Sequence, residues 1–446
     1  MGSLFGTDGV RGVANGPVLT PELALTLARA AAHELTAARG PSGTRPVAVI
    51  GRDTRPSGAM LEAAAAAGFA SEGVDVELLG VVPTPVVAHA CAHGADLGLM
   101  VSASHNPMPD NGLKLFGAGG WKLPDVVEGA IEAAVLAGGP ASDRPMGASV
   151  GTVRPADPEL VDGYRRRLLA TLVTPAQGVK VVVDCAQGAA SSLAPRLYRE
   201  AGADVVAIAA DGDGARINDG CGATHLALLQ AAVREHRADL GLAHDGDADR
   251  CLAVDASGQV VDGDQLLALL AVALHERGEL AGETVVATVM SNLGFLRAMR
   301  AHGITVEQTA VGDRYVLAAL RAGGYVLGGE QSGHTVQLAH ATTGDGLLTG
   351  LSVLGRLVET GRPLAELAAV MTRLPQVLVN VRAERTRATA PEVLAAVERE
   401  QEVLGEGGRV LLRPSGTEPL VRVMVEAETA ASAGEVAQRL ARVVSG

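Results

Sequence analysis

The stretch VAVIGRDTRPSGAMLEAAAAAGFASEGVDVELLG, Val47 to Gly80, decides the fold. It opens on a β-branched apolar run, turns through small and polar residues, and continues as a helix built mainly from Ala and Leu. A glycine, Gly73, then precedes a second short apolar run. The pattern reads as strand, helix, strand. The same rhythm returns in VKVVVDCAQGAASSLAPRLYREAGADVVAIA, Val179 to Ala209, and in ETVVATVMSNLGFLRAMRAHGITVEQTA, Glu283 to Ala310. In each, a glycine after the helix (Gly73, Gly202, Gly303) suits a left-handed C-terminal cap. Strands alternating with helices predict βαβ units in parallel or mixed sheets. Three units at similar spacing predict three similar α/β domains. One large doubly wound sheet is the alternative, because such sheets contain the same unit repeatedly.

The C-terminal part has another character. Gln376 to Arg382 alternates like a strand, a helix is expected from about Pro391 to Leu404, strands near Arg409–Leu412 and Leu420–Glu426, and a last helix from about Ala431. This predicts a smaller α+β domain with antiparallel pairing. The expected divisions are 1–154, 155–255, 256–373 and 374–446.

Composition narrows the function. Apolar residues make up 48% of the 446 residues but aromatic ones only 2%, so the cores must be built from Ala, Val and Leu. The net charge of -13 argues against a nucleic-acid-binding protein, which needs a broad basic face. Cys91, Cys185, Cys221 and Cys251 are scattered without C-x-x-C spacing, which fits a reducing compartment. The N-terminus has no basic-then-apolar leader, and no apolar run approaches the ~18 residues of a membrane span. The expectation is a soluble, cytoplasmic protein with no membrane partner.

Two segments carry chemistry. In HDGDADR, His244 to Arg250, three aspartates (Asp245, Asp247, Asp249) stand at alternate positions and can converge on one cation. Three carboxylates suit a hard divalent metal such as Mg²⁺. A calcium loop of the EF-hand type would need Gly where Arg250 stands and Glu where Ala256 stands. Arg250 beside the cation would bind phosphate or balance charge. An acidic solvated turn is the bland alternative, and nearby Asp211-Gly212-Asp213-Gly214, with two acids, reads as one.

The second segment is SASHNPMPDNGLK, Ser102 to Lys114, which follows the apolar run Leu97–Val101. Small residues and Pro predict a tight exposed turn at the C-terminal end of a buried strand, where α/β domains commonly place reactive groups. His105 and Asn106 could donate hydrogen bonds to an anion, and Lys114, one of very few lysines, could exchange a proton with a hydroxyl. The G-x-S-x-G elbow of a hydrolase is absent. A hydrogen-bonded turn is the competing reading of an isolated Ser-His pair.

SASHNP together with DGDADR resembles the α-D-phosphohexomutase family, and the resemblance covers essentially the whole chain. It implies that Ser104 is carried phosphorylated and that this phosphate completes the coordination of Mg²⁺ by Asp245, Asp247 and Asp249. FGTDGVRG, Phe5 to Gly12, resembles the family's opening signature, with Arg11 as an active-site arginine, and GRDTR, Gly51 to Arg55, also matches. GEQSGH, Gly329 to His334, resembles the sugar-recognition loop: Glu330 and Ser332 would bind sugar hydroxyls and His334 would lie by the reacting end. RPSGTEP, Arg413 to Pro419, resembles the phosphate-binding loop, and its residue types suit that task. Arg413 is a forked donor, Ser415 and Thr417 carry hydroxyls, and Gly416 lets backbone N–H groups approach an oxyanion.

The resemblance therefore implies three similar mixed α/β domains and a smaller α+β C-terminal domain around a central cleft. It implies an isomerase acting on sugar phosphates through a hexose 1,6-bisphosphate, which also primes the serine. GEQSGH, INDGCGATH (Ile217 to His225), AVGDRYV (Ala310 to Val316) and TTGDG (Thr342 to Gly346) together look like the branch that handles glucosamine phosphates and so feeds UDP-N-acetylglucosamine and cell-wall synthesis. Glucose or mannose phosphates are the near alternatives. A non-catalytic sugar-phosphate sensor and a metal phosphatase are alternatives of other classes. Many members pair through the first domain, which implies a homodimer here.

Overall fold

The computed structural model describes residues 4–6, 8–36, 44–140, 143–414 and 420–446. Two compact units form: one of residues 1–289 and 304–368, the other of 290–303 and 369–446.

The first unit contains three separate sheets, so the single large sheet is ruled out. In the first, the parallel strands Val47–Arg52, Asp75–Val81 and Leu97–Val101 are flanked by the antiparallel strand Asp110–Gly117, which pairs in turn with Val10–Val13. In the second, Lys180–Asp184 lies between Asp204–Ile208 and Leu240–His244, all parallel, and Cys251–Asp255 turns back antiparallel. In the third, Thr284–Thr288 lies between Thr305–Thr309 and Leu327–Gly329, all parallel, and Thr335–Gln337 turns back. Each predicted strand–helix–strand unit is present, and Gly73, Gly202 and Gly303 all have positive φ (81°, 100° and 74°).

A shared plan emerges that the sequence did not announce. Each sheet contains one parallel strand that leads through a loop into an antiparallel neighbour. Those loops are Ser102–Pro109, Asp245–Arg250 and Glu330–His334, so the three candidate segments of this unit occupy the same place in three repeats.

The cores are assembled from small side chains, as composition requires. The helices Pro21–Thr36 and Gly58–Ser71 bury Ala24, Ala28, Ala31, Ala65, Ala66 and Ala70. They approach so closely that a Cβ at Gly68 would strike the Leu25 carbonyl. Phe69 and Ile50 fill the remaining space at 0% exposure, and Phe69→Ala would cost about 3–5 kcal/mol.

The first sheet extends to Val153–Pro155. The second runs past the expected division after Asp255, because Val260–Val261 still pairs with Cys251–Asp255 through a turn at Ser257–Gly258. That turn closes a hairpin.

The other unit carries an antiparallel sheet in the order Gln376–Arg382, Leu420–Glu426, Arg409–Pro414, with helices Pro391–Leu404 and Ala430–Ser445. The strand expected to stop at Leu412 continues to Pro414. Val381, Val393, Val421, Val423, Val425 and Leu440 form its core. Buried Glu426 is held by Arg409 at 2.9 Å and Gln376 at 2.9 Å. Ser415, Gly416 and Thr417 of the expected phosphate loop lie outside the described residues. Among the described residues no helix is long and apolar enough to cross a membrane. All four cysteines are buried and unpaired.

Candidate active site

Ser104 leaves the buried strand Leu97–Val101 in a left-handed conformation, φ 53°, which costs a non-glycine residue of order 1–3 kcal/mol. Its surroundings fix it there. The Ser104 N–H donates to Ser102 Oγ (2.9 Å), and Ser102 Oγ donates to Asp53 (2.7 Å). The Ser104 carbonyl accepts from Arg55 (3.0 Å) and from the Asn218 amide (2.8 Å). Arg55, itself paired with Asp53 at 3.0 Å, also donates to the carbonyls of Asn106, Pro107 and Asp110. The GRDTR motif thus works as the loop's scaffold, through the fully buried side chain of Arg55.

The Ser104 hydroxyl points at the aspartate loop and donates to Asp245 Oδ2 at 2.5 Å. Asp245, Asp247 and Asp249 are all buried, and one oxygen of each lies within 4.8 Å of the others. Gly246 is required by closeness: a Cβ there would sit 2.5 Å from the Ser104 carbonyl oxygen. Asp247 Oδ2 accepts from Thr84 (2.6 Å) and Lys114 (2.8 Å), and Lys114 also reaches Asp249 at 3.4 Å. Yet Asp247 Oδ1 and Asp249 Oδ1 are buried without a hydrogen-bond partner. Orphaned carboxylate oxygens in a water-free pocket are costly, and a hard divalent cation is the ligand they fit. The triad could hold a metal.

The electrostatics agree. Burial, then the charges of Asp249 and Asp247, push the Asp245 carboxyl up to about 8. Burial alone would raise Asp249, but Lys114 and His334 outweigh it and hold it well below the usual carboxylate range. Burial would lower the Lys114 ammonium, but Asp247, Asp8 and Asp249 overcome it and hold the group well above its ordinary value. An added cation would compete with Lys114 for those carboxylates and ease its proton release.

Arg250, Arg11, His334 and His105 of the same unit lie beside the triad or the serine loop. Arg250 Nε stands 3.9 Å from both Asp245 and Asp249 with no hydrogen-bond partner, free to take an oxyanion. Arg11 pairs with Asp8 at 2.5 Å and reaches the Ala103 carbonyl at 3.4 Å. Buried His334 faces Asp249 at 3.7 Å. Glu330 accepts from the Gly312 N–H at 3.1 Å and from Ser332 at 3.4 Å, which aims its carboxylate. His105 Nδ1 lies 3.2 Å from Ser104 Oγ, and burial, then Arg250 and Arg11, lower its pKa to about 4, so its ring is neutral.

The Asn106 amide donates to the Asp110 carboxylate at 2.9 Å, closing its own turn. Sequence reasoning passed over Asp8, Thr84, Lys122, Asp313 and Asn218. The sole signal for Lys122 was the rarity of lysine, and Asp313 lay inside the quoted AVGDRYV without a role.

Comparison with known proteins gives the same answer along the chain. Residues 2–140, 162–258 and 262–374 match the α/β/α domains I, II and III of phosphoglucomutase/phosphomannomutase, and residues 378–443 match its C-terminal domain. A phosphoglucosamine mutase of Frankia casuarinae is 66% identical over 99% of this chain and 98% of its own length. One of Frankia alni is 65% identical over 100% and 98%. A crystal structure of a phosphoglucomutase/phosphomannomutase family protein from Burkholderia thailandensis superposes with a TM-score of 0.82 at 26% identity, covering 99% of this chain and 97% of that one. With a domain match in every part of the fold and relatives alike from end to end, the chain belongs to the phosphoglucomutase/phosphomannomutase family of α-D-phosphohexomutases, on the side of the bacterial phosphoglucosamine mutases.

Proposed function

We propose that this enzyme interconverts glucosamine 6-phosphate and glucosamine 1-phosphate through a phosphorylated Ser104 and a hexosamine 1,6-bisphosphate. The observation that carries the reading is the Ser104 hydroxyl, 2.5 Å from Asp245 in a buried triad with orphaned oxygens, in a chain alike over its full length to phosphoglucosamine mutases.

Phosphorylated Ser104 gives its phosphoryl group to the sugar O1. The bisphosphate turns end for end, and the 6-phosphoryl group returns to the Ser104 oxygen, so phosphate and protons balance over the cycle. Mg²⁺ on Asp245, Asp247 and Asp249 would neutralise the charge of the transferring group. Arg250 and Arg11 supply guanidinium donors for the same oxygens. Lys114 and His334 handle the hydroxyl proton. Glu330 and Ser332 hold sugar hydroxyls. Arg413, Ser415, Gly416 and Thr417 bind whichever phosphate is not reacting. His105 orients the Ser104 oxygen.

The same reading keeps the four divisions of the chain, 1–154, 155–255, 256–373 and 374–446. It assigns a cytoplasmic location, sugar-phosphate partners without nucleic acid or membrane, and a homodimer through the first domain. A panel of glucosamine, glucose and mannose 6-phosphates with Mg²⁺ tests it. Turnover at least ~10-fold faster on glucosamine 6-phosphate is expected, about 1.4 kcal/mol of discrimination. Preference for glucose or mannose phosphate would keep the chemistry and change the substrate, and release of inorganic phosphate as the main product would favour a phosphatase.

A further inference from the structure

The chain has three lysines among its 37 basic residues, and two of them, Lys114 and Lys122, belong to one closed circuit of charge. Lys114 Nζ lies 3.4 Å from Asp249 and 2.9 Å from Asp8 Oδ2. The other oxygen of Asp8 meets Lys122 Nζ at 2.5 Å, and Lys122 Nζ is in contact with Asp313 Oδ2. That same Asp313 oxygen lies 3.5 Å from His334 Nε2, an ion-pair distance without a hydrogen bond, and His334 Nδ1 lies 3.7 Å from Asp249, which closes the circuit. Asp8, Lys114 and Lys122 come from the first α/β sheet region, Asp249 from the second, Asp313 and His334 from the third. No side chain in the circuit is more than 17% exposed.

Asp249 is the crowded member. It faces both Lys114 and His334, and in the reading above it also binds the cation. Of the three carboxylates that Lys114 meets, Asp247, Asp249 and Asp8, Asp8 lies outside the triad and stays with it when the triad is drawn to a metal. His334 keeps Asp313. But Asp8 and Asp313 are like charges in a region shielded from water, and Lys122 alone among the circuit's cations touches both. Two carboxylates so placed repel unless an ammonium compensates them.

We propose that Lys122 and Asp313 are positioning residues for the phosphoryl transfer: Asp313, neutralised by Lys122, holds the His334 ring at the reacting centre while the Asp249 carboxylate serves the cation. The proposal rests on the metal reading of the triad. Its consequence is specific. Loss of either residue lets the ring turn without emptying the sugar or phosphate subsites, so the rate falls while substrate affinity stays.

The test uses the full chain with Mg²⁺ and glucosamine 6-phosphate, comparing the parent with Asp313→Asn, Lys122→Met, Lys122→Arg and the double variant Lys122→Met/Asp313→Asn. Each single neutralisation is expected to lower kcat roughly 10- to 100-fold, with KM within about threefold, because small misplacements of a reacting group cost rate steeply. Lys122→Arg keeps the charge and should recover at least a third of the lost logarithm of rate. The double variant should lose no more kcat than the worse single one, since both act on one ring. The phosphate carried by Ser104, read by mass spectrometry, and the melting temperature of Lys122→Arg should match the parent. Variants with parental kcat, or with KM raised and kcat kept, would overturn the proposal. So would a rate loss that simply follows melting temperature across all four. If Lys122→Met does not fold, Asp313→Asn and Lys122→Arg decide. A parent chain without hexose-phosphate turnover overturns the functional reading and this proposal with it, whereas an active parent with indifferent variants overturns this proposal alone.

Discussion

Two loops of this chain share the pattern Asp-Gly-Asp-x-x-Arg, residues 211–216 and 245–250, but not its burial. Asp211 and Asp213 have side chains 81% and 44% exposed. Asp213 is satisfied by Arg216 at 2.9 Å and by the Ala215 N–H, and Asp211 accepts from Gln187 at 3.3 Å. Asp245 and Asp247, with Asp249, are buried, and two of their oxygens have no hydrogen-bond partner. The first loop follows a strand at the edge of its sheet, the second follows an inner strand whose five residues are all buried. Carboxylates that keep water need no cation, and carboxylates that lose it need several. Here Lys114 and Arg250 supply part of that charge, and the orphaned oxygens mark what is still wanting.

The comparison can be broken or sharpened by substitution. The largest effect belongs to Ser104→Ala, which removes the group the buried loop faces. Turnover should fall at least ~1000-fold with sugar-phosphate binding retained in calorimetry, because a covalent route loses its acceptor. Asp247→Asn comes next. It should lower kcat on the order of 100-fold and abolish stabilisation by Mg²⁺, which in the parent should reach about 2.7 kcal/mol at a hundred times Kd, read from thermal unfolding. Arg413→Ala should raise KM roughly tenfold and move kcat less, since distal-phosphate binding is largely shared by ground and transition states. Asp213→Asn should be smallest, with kcat within about twofold of the parent, as for exposed substitutions generally. An Asp213 variant as damaging as Asp247→Asn would end the distinction between the loops.

What was legible in the sequence follows from range. Strand–helix–strand units repeat within some thirty residues, and hydrophobic period and capping glycine act over that distance, so all three appear where expected. The serine and aspartate loops were legible because their residue types are crowded together. The site around them was not. Lys122 meets Asp313 across 191 positions and Lys114 meets Asp247 across 133, and no local pattern encodes such meetings. Asn106 shows the opposite case: its partner, Asp110, is only four residues away, and the bond closes a local turn. The hairpin that carries the second sheet past Asp255 to Val261 was not read from the sequence.

The most direct test is intact-protein mass spectrometry of the purified chain, before and after incubation with Mg²⁺ and glucosamine 6-phosphate. One phosphate increment is expected, mapping to Ser104 and exchanging with substrate as glucosamine 1-phosphate forms. A chain that never carries phosphate on Ser104, even after priming with a hexose 1,6-bisphosphate, would contradict the phosphoserine mechanism outright.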